Sequence, residues 1–502
     1  MRALLILLLL GSGFWALLSG ATRPNILLVY TDDQGYGDVS CLNPKAKFKT
    51  PAQDRLAREG MTFTDAHCSD TVCTPSRYGL LTGRYSWRTT LKRGVFGAEK
   101  TCLIADGRVT LASFLRDQGY RTAMVGKWHL GMDFPGTKGK RDWSQPVRDM
   151  PLDKGFDYFW GIPASMNYGV LAWFEGRHAK VPPTLWTKKK RNKIALSDYR
   201  IAPPYEKTQQ PDLMEVAPDF VDSECLTRFT DQAIKWIEGV AEEARQGKPF
   251  FLYLPYTSPH KPVIPIEKFR GQGKAGAYGE FMIETDWHLG RLLDLLDHEK
   301  LSENTIVIFT ADNGPETTWK ERIEKYAHHS SGPYREGKRS IYEGGHRVPF
   351  FFRWPAKVKG GSKWDLPVCQ TDLLATFANI LGKPLPNKAG EDSISFHQAF
   401  SETQITTPPR LPIIHHGANG RFAIRYGKWK LVMESKRRAE KRELYDLQAD
   451  PGEKNDVRLE HPEIEKKLLK QLTEIVTSGA TRPGVASKND TPPWDDLGWI
   501  VK

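Results

Sequence analysis

The scarcities of this 502-residue chain limit what it can be. Beyond its first 21 residues no apolar run is long enough to cross a bilayer, which excludes a multi-span membrane protein. No internal repeat is present, which excludes solenoid and propeller architectures. Cysteine is sparse, with six in all (Cys41, Cys68, Cys73, Cys102, Cys225 and Cys369), and no disulfide pairing can be assigned from sequence. Acidic residues are outnumbered, 60 Asp and Glu against 72 Lys and Arg, for a net charge of +12. That surplus suits a nucleic acid, an anionic membrane face or a sulfated or carboxylated polymer, and equally a solvated surface rich in lysine. The chain has no recognisable nucleic-acid-binding module, and such a role conflicts with an export signature at its start.

That signature is the first feature present. Arg2 precedes an apolar run from Ala3 to Leu10 that continues through Phe14, Trp15, Leu17 and Leu18, and Ser19, Gly20 and Ala21 form a small-residue cleavage site. Residues 1–21 are therefore expected to be a signal peptide, with the mature chain starting near Thr22 and the protein exported, periplasmic or secreted. An uncleaved anchor is the alternative, and only then is the protein expected at a membrane. Apolar content of 39% and charge of 26% describe a globular protein with a sizeable core. The 15 Trp and 17 Tyr suffice to line a carbohydrate or aromatic site as well as to pack that core.

Polar residues collect where apolar runs end. Asn25 to Thr31 reads as a strand buried on both faces of a parallel sheet, and it delivers Asp32-Asp33-Gln34-Gly35. Two adjacent carboxylates at such a strand end want a cation, although alone they equally describe a solvated turn; oxygen ligands favour Ca²⁺ or Mg²⁺. Arg121 to Val125 is a strand leading into Gly126-Lys127-Trp128-His129-Leu130-Gly131, and alternation puts Lys127 and His129 on one side if the strand persists. Pro249 to Pro255 is a third buried strand, with His260 after its C-terminal end, and Thr305 to Thr310 a fourth, delivering Ala311-Asp312-Asn313-Gly314. Helical spacing marks Pro51 to Arg58, Leu111 to Gln118, Leu226 to Glu243, Tyr278 to Leu296 and Gln370 to Leu381.

The stretch from Cys73 to Arg84 organises the rest. Pro75 fixes φ and has no amide hydrogen, so a helix starts here with Cys73 at its positive end and Arg77 one turn on, an arrangement suited to an anion. Taken alone, Cys73 is more readily a small buried side chain ahead of an ordinary helix. From Asp133 to Gly247 little pattern is visible; the run Lys188-Lys189-Lys190-Arg191 reads as a solvated loop, with contact to a polyanion as the sharper alternative. Leu411 to Ile414, Phe422 to Tyr426, Trp429 to Met433 and Glu443 to Leu447 read as an antiparallel meander, Glu463 to Val476 as a helix, and Gly484 to Lys502 as an irregular tail.

Cys73-Thr-Pro75-Ser-Arg77 with Gly83-Arg84 resembles the signature of the type I sulfatases, and four further blocks match the same family: Asp32-Asp33-Gln34-Gly35, Gly126 to Gly131, Ala311 to Gly314, and Arg335 to Lys338 with Tyr342 to Pro349. The chain thus looks like an arylsulfatase or an N-acetylgalactosamine-6-sulfatase of the alkaline phosphatase superfamily. The resemblance implies an α/β domain with a mostly parallel sheet flanked by helices, spanning 22–405, and a small C-terminal subdomain of antiparallel sheet plus helix over 406–502. It implies sulfate monoester hydrolysis by a formylglycine made from Cys73 by a formylglycine-generating enzyme. It also implies a Ca²⁺ ion, less readily Mg²⁺, held by Asp32, Asp33, Asp312, Asn313 and residue 73.

Residue by residue, the resemblance makes Arg77, Lys127 and Lys338 cations for the sulfate, His260, with Lys338, the donor to the leaving oxygen, and His129 the base acting on the formylglycine hydroxyl. His328, His329 and His346 receive no catalytic role, and His415 and His416 read as structural, with a place facing the substrate as the alternative. The substrate is expected to be an aryl sulfate or a sulfated carbohydrate; Trp87 and the Trp-rich 133–190 region incline the reading toward a sugar 6-sulfate. The alternatives are a phosphatase or phosphonate monoester hydrolase of the same superfamily and a catalytically silent glycan binder.

Overall fold

The computed structural model describes residues 23–188, 201–401, 411–434, 441–492 and 497–500. The export segment through Thr22, the boundary at 405/406 and Lys189 to Arg191 of the basic run lie outside them. No helix among the described residues is long and apolar enough to cross a membrane. None of the six cysteines forms a disulfide.

Ten strands form one sheet: β1 (Asn25–Asp32), β2 (Met61–Phe63), β3 (Arg121–Lys127), β4 (Tyr158–Ile162), β5 (Phe174–Glu175), β6 (His178–Ala179), β7 (Phe250–Pro259), β8 (Thr305–Ala311), β9 (Phe350–Arg353) and β10 (Ser362–Trp364). Their spatial order is β10-β2-β9-β8-β1-β7-β3-β4-β5-β6. The five central strands β8, β1, β7, β3 and β4 are parallel. Antiparallel pairings appear only outside them, at β8 with β9, β9 with β2, β4 with β5 and β5 with β6. All eight residues of β1 are buried, which is why its sequence runs apolar without alternation. Helices α1 (Pro51–Glu59), α4 (Cys225–Arg245) and α5 (Gly276–His298) form one packed set, α1 and α4 on α5 and all three on the sheet, while α2 (Cys73–Thr82) packs against α3 (Leu111–Asp117) and α6 (Leu373–Ile380). This is the expected α/β class.

The C-terminal part is a four-stranded antiparallel meander, β11 (Ile413–His416), β12 (Phe422–Tyr426), β13 (Trp429–Met433) and β14 (Arg442–Asp446), followed by α7 (Pro462–Ser478). Leu468, Leu472 and Val476 of α7 meet Ile414, Ile424 and Leu431 of the meander in a core that also holds Tyr85, Trp87 and Cys369 of the large domain. Trp87 is wholly buried there, stacked on Tyr85 at 5.3 Å, so it reads no substrate.

The segment after Gly484 has no helix or strand among its described residues, as expected, but it is tightly held. Arg84 donates to Asp490 through two nitrogens, at 2.9 and 3.1 Å, and to the carbonyl of Lys488 at 3.0 Å. Arg88 donates to Asn489 at 3.1 Å, and Leu497 and Trp499 are buried in the second core. The chain end therefore acts as a strap across the exit of α2.

Candidate active site

The site is built where the parallel strands end. Asp32 closes β1, and Asp33 follows with φ 67°, in the left-handed region that Asp tolerates better than most residues. A continuing strand would send the two carboxylates to opposite faces; the left-handed residue breaks that alternation and keeps both in one place. Thr31 registers with Ala311, so Asp312 and Asn313 leave the neighbouring strand beside them. The amide of Asp33 donates to Asp312 Oδ1 at 3.1 Å, and Asn313 Nδ2 donates to Asp33 Oδ1 at 2.7 Å. Four residues from two distant blocks thus share one site, as expected.

Cys73 is the first residue of α2, after an extended Val72, and is buried. Its Sγ lies 3.8 Å from Asp32 Oδ1 and 3.6 Å from Lys338 Nζ. Gly83 ends the helix at φ 63°, donating to the carbonyl of Gly79 at 2.9 Å, a close of the kind that glycine allows. Arg77 is fully buried and points inward: it donates to Asp312 Oδ2 at 2.8 and 3.2 Å and to the carbonyl of Lys127 at 3.0 Å, and it pairs with Asp32 at 3.5 Å. It therefore orients the carboxylates and the β3 end.

Lys127 ends β3 with its ammonium on Asp32. The strand does not persist to His129, whose backbone is left-handed at φ 62°. This turn, and not strand alternation, sets His129 in place. Its Nε2 faces the carbonyl of Phe96 at 3.0 Å, so that nitrogen carries the hydrogen, and Nδ1 is left buried with no partner among the described residues. His260 has the opposite tautomer: Nδ1 donates to the carbonyl of Lys261 at 2.6 Å, and Nε2 faces Asp33 Oδ2 at 3.8 Å.

Burial dominates the electrostatics. Desolvation raises Asp32 on its own, but Lys127, His260, Arg77 and Lys338 outweigh it and hold the carboxyl well below the usual range. Asp312 is pushed up to about 7 by burial and by the charge of Asp32, against Arg77 and Lys127. Desolvation drives the Cys73 thiol up to about 12 despite its lysines. It also lowers His260 to about 4, and it lowers His129 well below the ordinary range, with Lys127 as the next cause. Burial disfavours the Lys338 ammonium, yet Asp33, Cys73 and Glu316 keep it charged, its pKa well above the usual value.

The donor set fits a hard cation. One ligand atom each from Asp32, Asp33, Cys73 and His260 lie within 4.8 Å of one another. Asp33 Oδ2 and Asn313 Oδ1 are buried acceptors with no partner among the described residues, which is costly unless a cation meets them. A cavity of about 270 Å³ opens in front of Cys73, walled by Tyr168, His260, Lys338 and Arg339. Two of its features escaped the sequence reading. Arg339, left-handed at φ 77°, pairs with Glu316, which is thereby held ionised. Tyr168 places its ring 5.4 Å from that of His129. Neither sits in a family block, although Arg339 directly follows Lys338.

The structure places His328, His346, His415 and His416 outside this site, with His346 and His415 in a separate buried group with His67 and Glu343. His328 pairs with Asp38 at 2.7 Å, His416 with Asp70 at 2.7 Å, and His415 stacks on His346 at 3.7 Å, all buried.

A parallel α/β sheet gathers acids, an amide and lysines from its strand ends around the first residue of a helix, as the resemblance to the alkaline phosphatase superfamily implies. Comparison with known proteins narrows this. The Sulfatase family profile matches residues 24–383, and the profile for the C-terminal region of N-sulphoglucosamine sulphohydrolase matches 335–478. An N-acetylgalactosamine-6-O-sulfatase of Bacteroides thetaiotaomicron is 34% identical, over 92% of this chain and 94% of its own length. Human arylsulfatase A is 31% identical, over 97% and 94%. A solved 6S-sulfatase structure, from work on glycosaminoglycan metabolism by Bacteroides thetaiotaomicron, superposes with a TM-score of 0.77 at 32% identity, covering 91% of this chain and 99% of that one. The chain belongs to the sulfatase family and is a sulfuric ester hydrolase.

Proposed function

We propose that the protein removes sulfate from a sulfated sugar, with a formylglycine derived from Cys73 as nucleophile. The observation that supports this most directly is Cys73 itself, first in its helix, facing the cavity, and within hydrogen-bonding range of Lys338 and Asp32. As a thiol it is inert, since with its pKa at about 12 almost none is thiolate at neutral pH. Its Sγ stands in for a hydroxyl oxygen of the hydrated aldehyde. That hydrate supplies two hydroxyls on one carbon, one to attack sulfur as its proton passes to Asp312, and one whose deprotonation later expels sulfate.

Asp32, Asp33, Asp312 and Asn313, with residue 73, would hold Ca²⁺, which offsets the negative charge of sulfate and lowers the pKa of the hydroxyl beside it. Lys338 and Lys127 supply the fixed positive charge. As the bond from sulfur to the alcohol oxygen breaks, that oxygen needs a proton. His260 presents Nε2 to the site, and the sulfate group is the anionic neighbour that favours its protonated form. His129 offers the opposite service: its free Nδ1 accepts the proton of the second hydroxyl as sulfate leaves. Each histidine is fixed in its tautomer by a backbone carbonyl, Lys261 for one and Phe96 for the other.

The protein is proposed to be exported after cleavage near Thr22, and to need a formylglycine-generating enzyme as partner. The test is the mass of the Cys73 peptide from secreted protein, paired with sulfate release from N-acetylgalactosamine 6-sulfate, an aryl sulfate and, as control, a phosphate ester. The aldehyde together with sulfate release supports the reading. An unmodified thiol, or a dominant phosphatase activity, refutes it.

A further inference from the structure

Three histidines and a glutamate gather where the large domain meets the C-terminal meander. His67 closes the two-residue strand Ala66–His67, Glu343 and His346 begin and end a four-residue helix, and His415 lies on β11. All four are wholly buried. One ligand atom from each lies within 4.8 Å of the other three.

Two of the rings are held as metal-binding imidazoles are. His67 Nε2 faces Asp65 Oδ1 at 2.6 Å, a carboxylate fixed in turn by Arg425 at 3.1 Å, and His346 Nε2 faces the carbonyl of Ile341 at 3.1 Å. With a hydrogen on each Nε2, both Nδ1 atoms carry lone pairs, and these meet at 3.0 Å. Lone pairs so close repel unless a cation joins them. The spacing is near the roughly 3.3 Å between two nitrogens that each sit about 2.0 Å from a tetrahedral ion. A proton on His346 Nδ1 is the other solution, its Nε2 then accepting from Lys430 at 3.1 Å. That solution leaves His415 unexplained, because both its nitrogens are buried with no hydrogen-bond partner among the described residues. An unpaired imidazole in the interior is costly, and an ion removes part of that cost. Burial drives His346 and His415 well below the ordinary histidine value, so both rings are neutral and offer a lone pair.

We propose that His67, Glu343, His346 and His415 bind one zinc ion, a structural site separate from the ion site at Cys73. Three imidazole nitrogens and one carboxylate oxygen make a closed tetrahedral set, and nitrogen donors favour Zn²⁺ over the Ca²⁺ suited to the oxygen ligands beside Cys73. Binding moves two side chains. His415 lies flat on His346, the rings 3.7 Å apart and 10° from parallel, and a ring nitrogen's lone pair lies in the ring plane, so His415 turns out of the stack to reach the ion. Lys430, 3.0 Å from Glu343 Oε1, shifts toward Glu453, which it already meets at 2.8 Å. Asp65 and Glu453 then balance the added charge. Bound there, the ion fastens β11 to the strand Ala66–His67, just ahead of Cys73 in the chain.

The experiment saturates the full chain with Ca²⁺, adds Zn²⁺, dialyses, and counts bound zinc by elemental analysis in wild type, Cys73→Ser and His415→Gln. About one zinc per chain is expected in wild type and in Cys73→Ser, which removes the thiol of the other site. His415→Gln should weaken zinc binding by at least about a hundredfold, since losing a mere partner of a ligand costs about tenfold to a hundredfold. Zn²⁺ should raise the thermal midpoint of wild type and leave that of His415→Gln unmoved, with circular dichroism confirming that the variant is folded. Glu343→Gln, which keeps the side chain's size and removes its charge, is the second variant and should weaken zinc likewise. Co²⁺ in place of zinc should give the intense visible absorption of a tetrahedral ion, absent in both variants. Zinc bound equally by wild type and the two variants, or lost in Cys73→Ser, overturns the site. No zinc retained by wild type overturns it too, and leaves a hydrogen-bonded run from Lys430 through His346 and His67 to Asp65 in its place.

Discussion

Lys338 bridges Asp33 and Cys73, its ammonium on the Asp33 carboxylate and 3.6 Å from the Cys73 Sγ. One side chain thus touches both the proposed metal site and the proposed nucleophile. Lys338→Ala should lower kcat by about a hundredfold to a thousandfold, the usual consequence of deleting one preorganised group that meets developing charge. Steady-state kinetics on the best ester, with metal content measured in parallel, decides it; a variant within a few fold of wild type rules Lys338 out of the reaction.

Cys73→Ala should abolish turnover and leave the fold unchanged, because the thiol it removes is small and no wall of the core depends on it. The unmodified wild type should be equally inactive, and its native Cys73 should resist alkylation at neutral pH, since burial holds the thiol at about 12. Mass spectrometry after iodoacetamide treatment checks the second claim, and rapid labelling of native Cys73 would contradict it.

On the proposed ion site, Asp312 would tie ion binding to pH. With the site free of its ion, burial and Asp32 push this carboxyl up to about 7, so it is protonated below that pH and ionised above it. Because the ion would bind the carboxylate and not the acid, affinity should rise as pH increases through about 7 and weaken below it, with a proton released to buffer on binding. Calorimetric titration of chelator-treated protein with Ca²⁺ at about pH 6 and about pH 8, in two buffers of different ionisation enthalpy, measures both effects. Equal affinity with no proton release would exclude Asp312 from the ion site.

The part of this site legible in the sequence is the part set by strand ends. Asp32-Asp33 and Asp312-Asn313 follow apolar runs, and parallel pairing of β1 with β8 brings such ends together without further information. What escaped was set by turns and long-range packing. His129 reaches the site through a left-handed backbone that period-two reasoning cannot anticipate, and Arg77 spends its guanidinium on Asp312 and Asp32. Trp87 illustrates the limit of composition: an aromatic adjacent to the signature became core, while Tyr168, in an unpatterned stretch, came to face the reaction cavity. A cavity of about 490 Å³ beside the reaction cavity draws on four separate chain segments, none with a periodic signal.

Arg88 and Asp392 form a fully buried pair with two bonds of 2.8 Å. Arg88→Ala should destabilise the protein by about 3–5 kcal/mol, because it leaves a buried carboxylate uncompensated. Burial alone raises Asp392, but Arg88 and the bonds from Thr481 outweigh it and hold the carboxyl below its ordinary value. The pair's contribution is therefore present above the ordinary Asp range and is lost as pH falls through the lowered value. Denaturant unfolding of wild type and variant at neutral and acidic pH should show the gap narrowing at low pH, and a gap constant with pH would disprove the assignment.

The strap has a meaning in time. Residues 488–490 leave the ribosome long after Cys73, and they clasp Arg84 and Arg88 just beyond the helix that begins with Cys73. Every residue of that helix is buried once the fold is complete. If Cys73 is converted as proposed, the converting enzyme must reach it while the chain is still being made or before it closes, and the order of synthesis would itself grant the interval in which the nucleophile is installed.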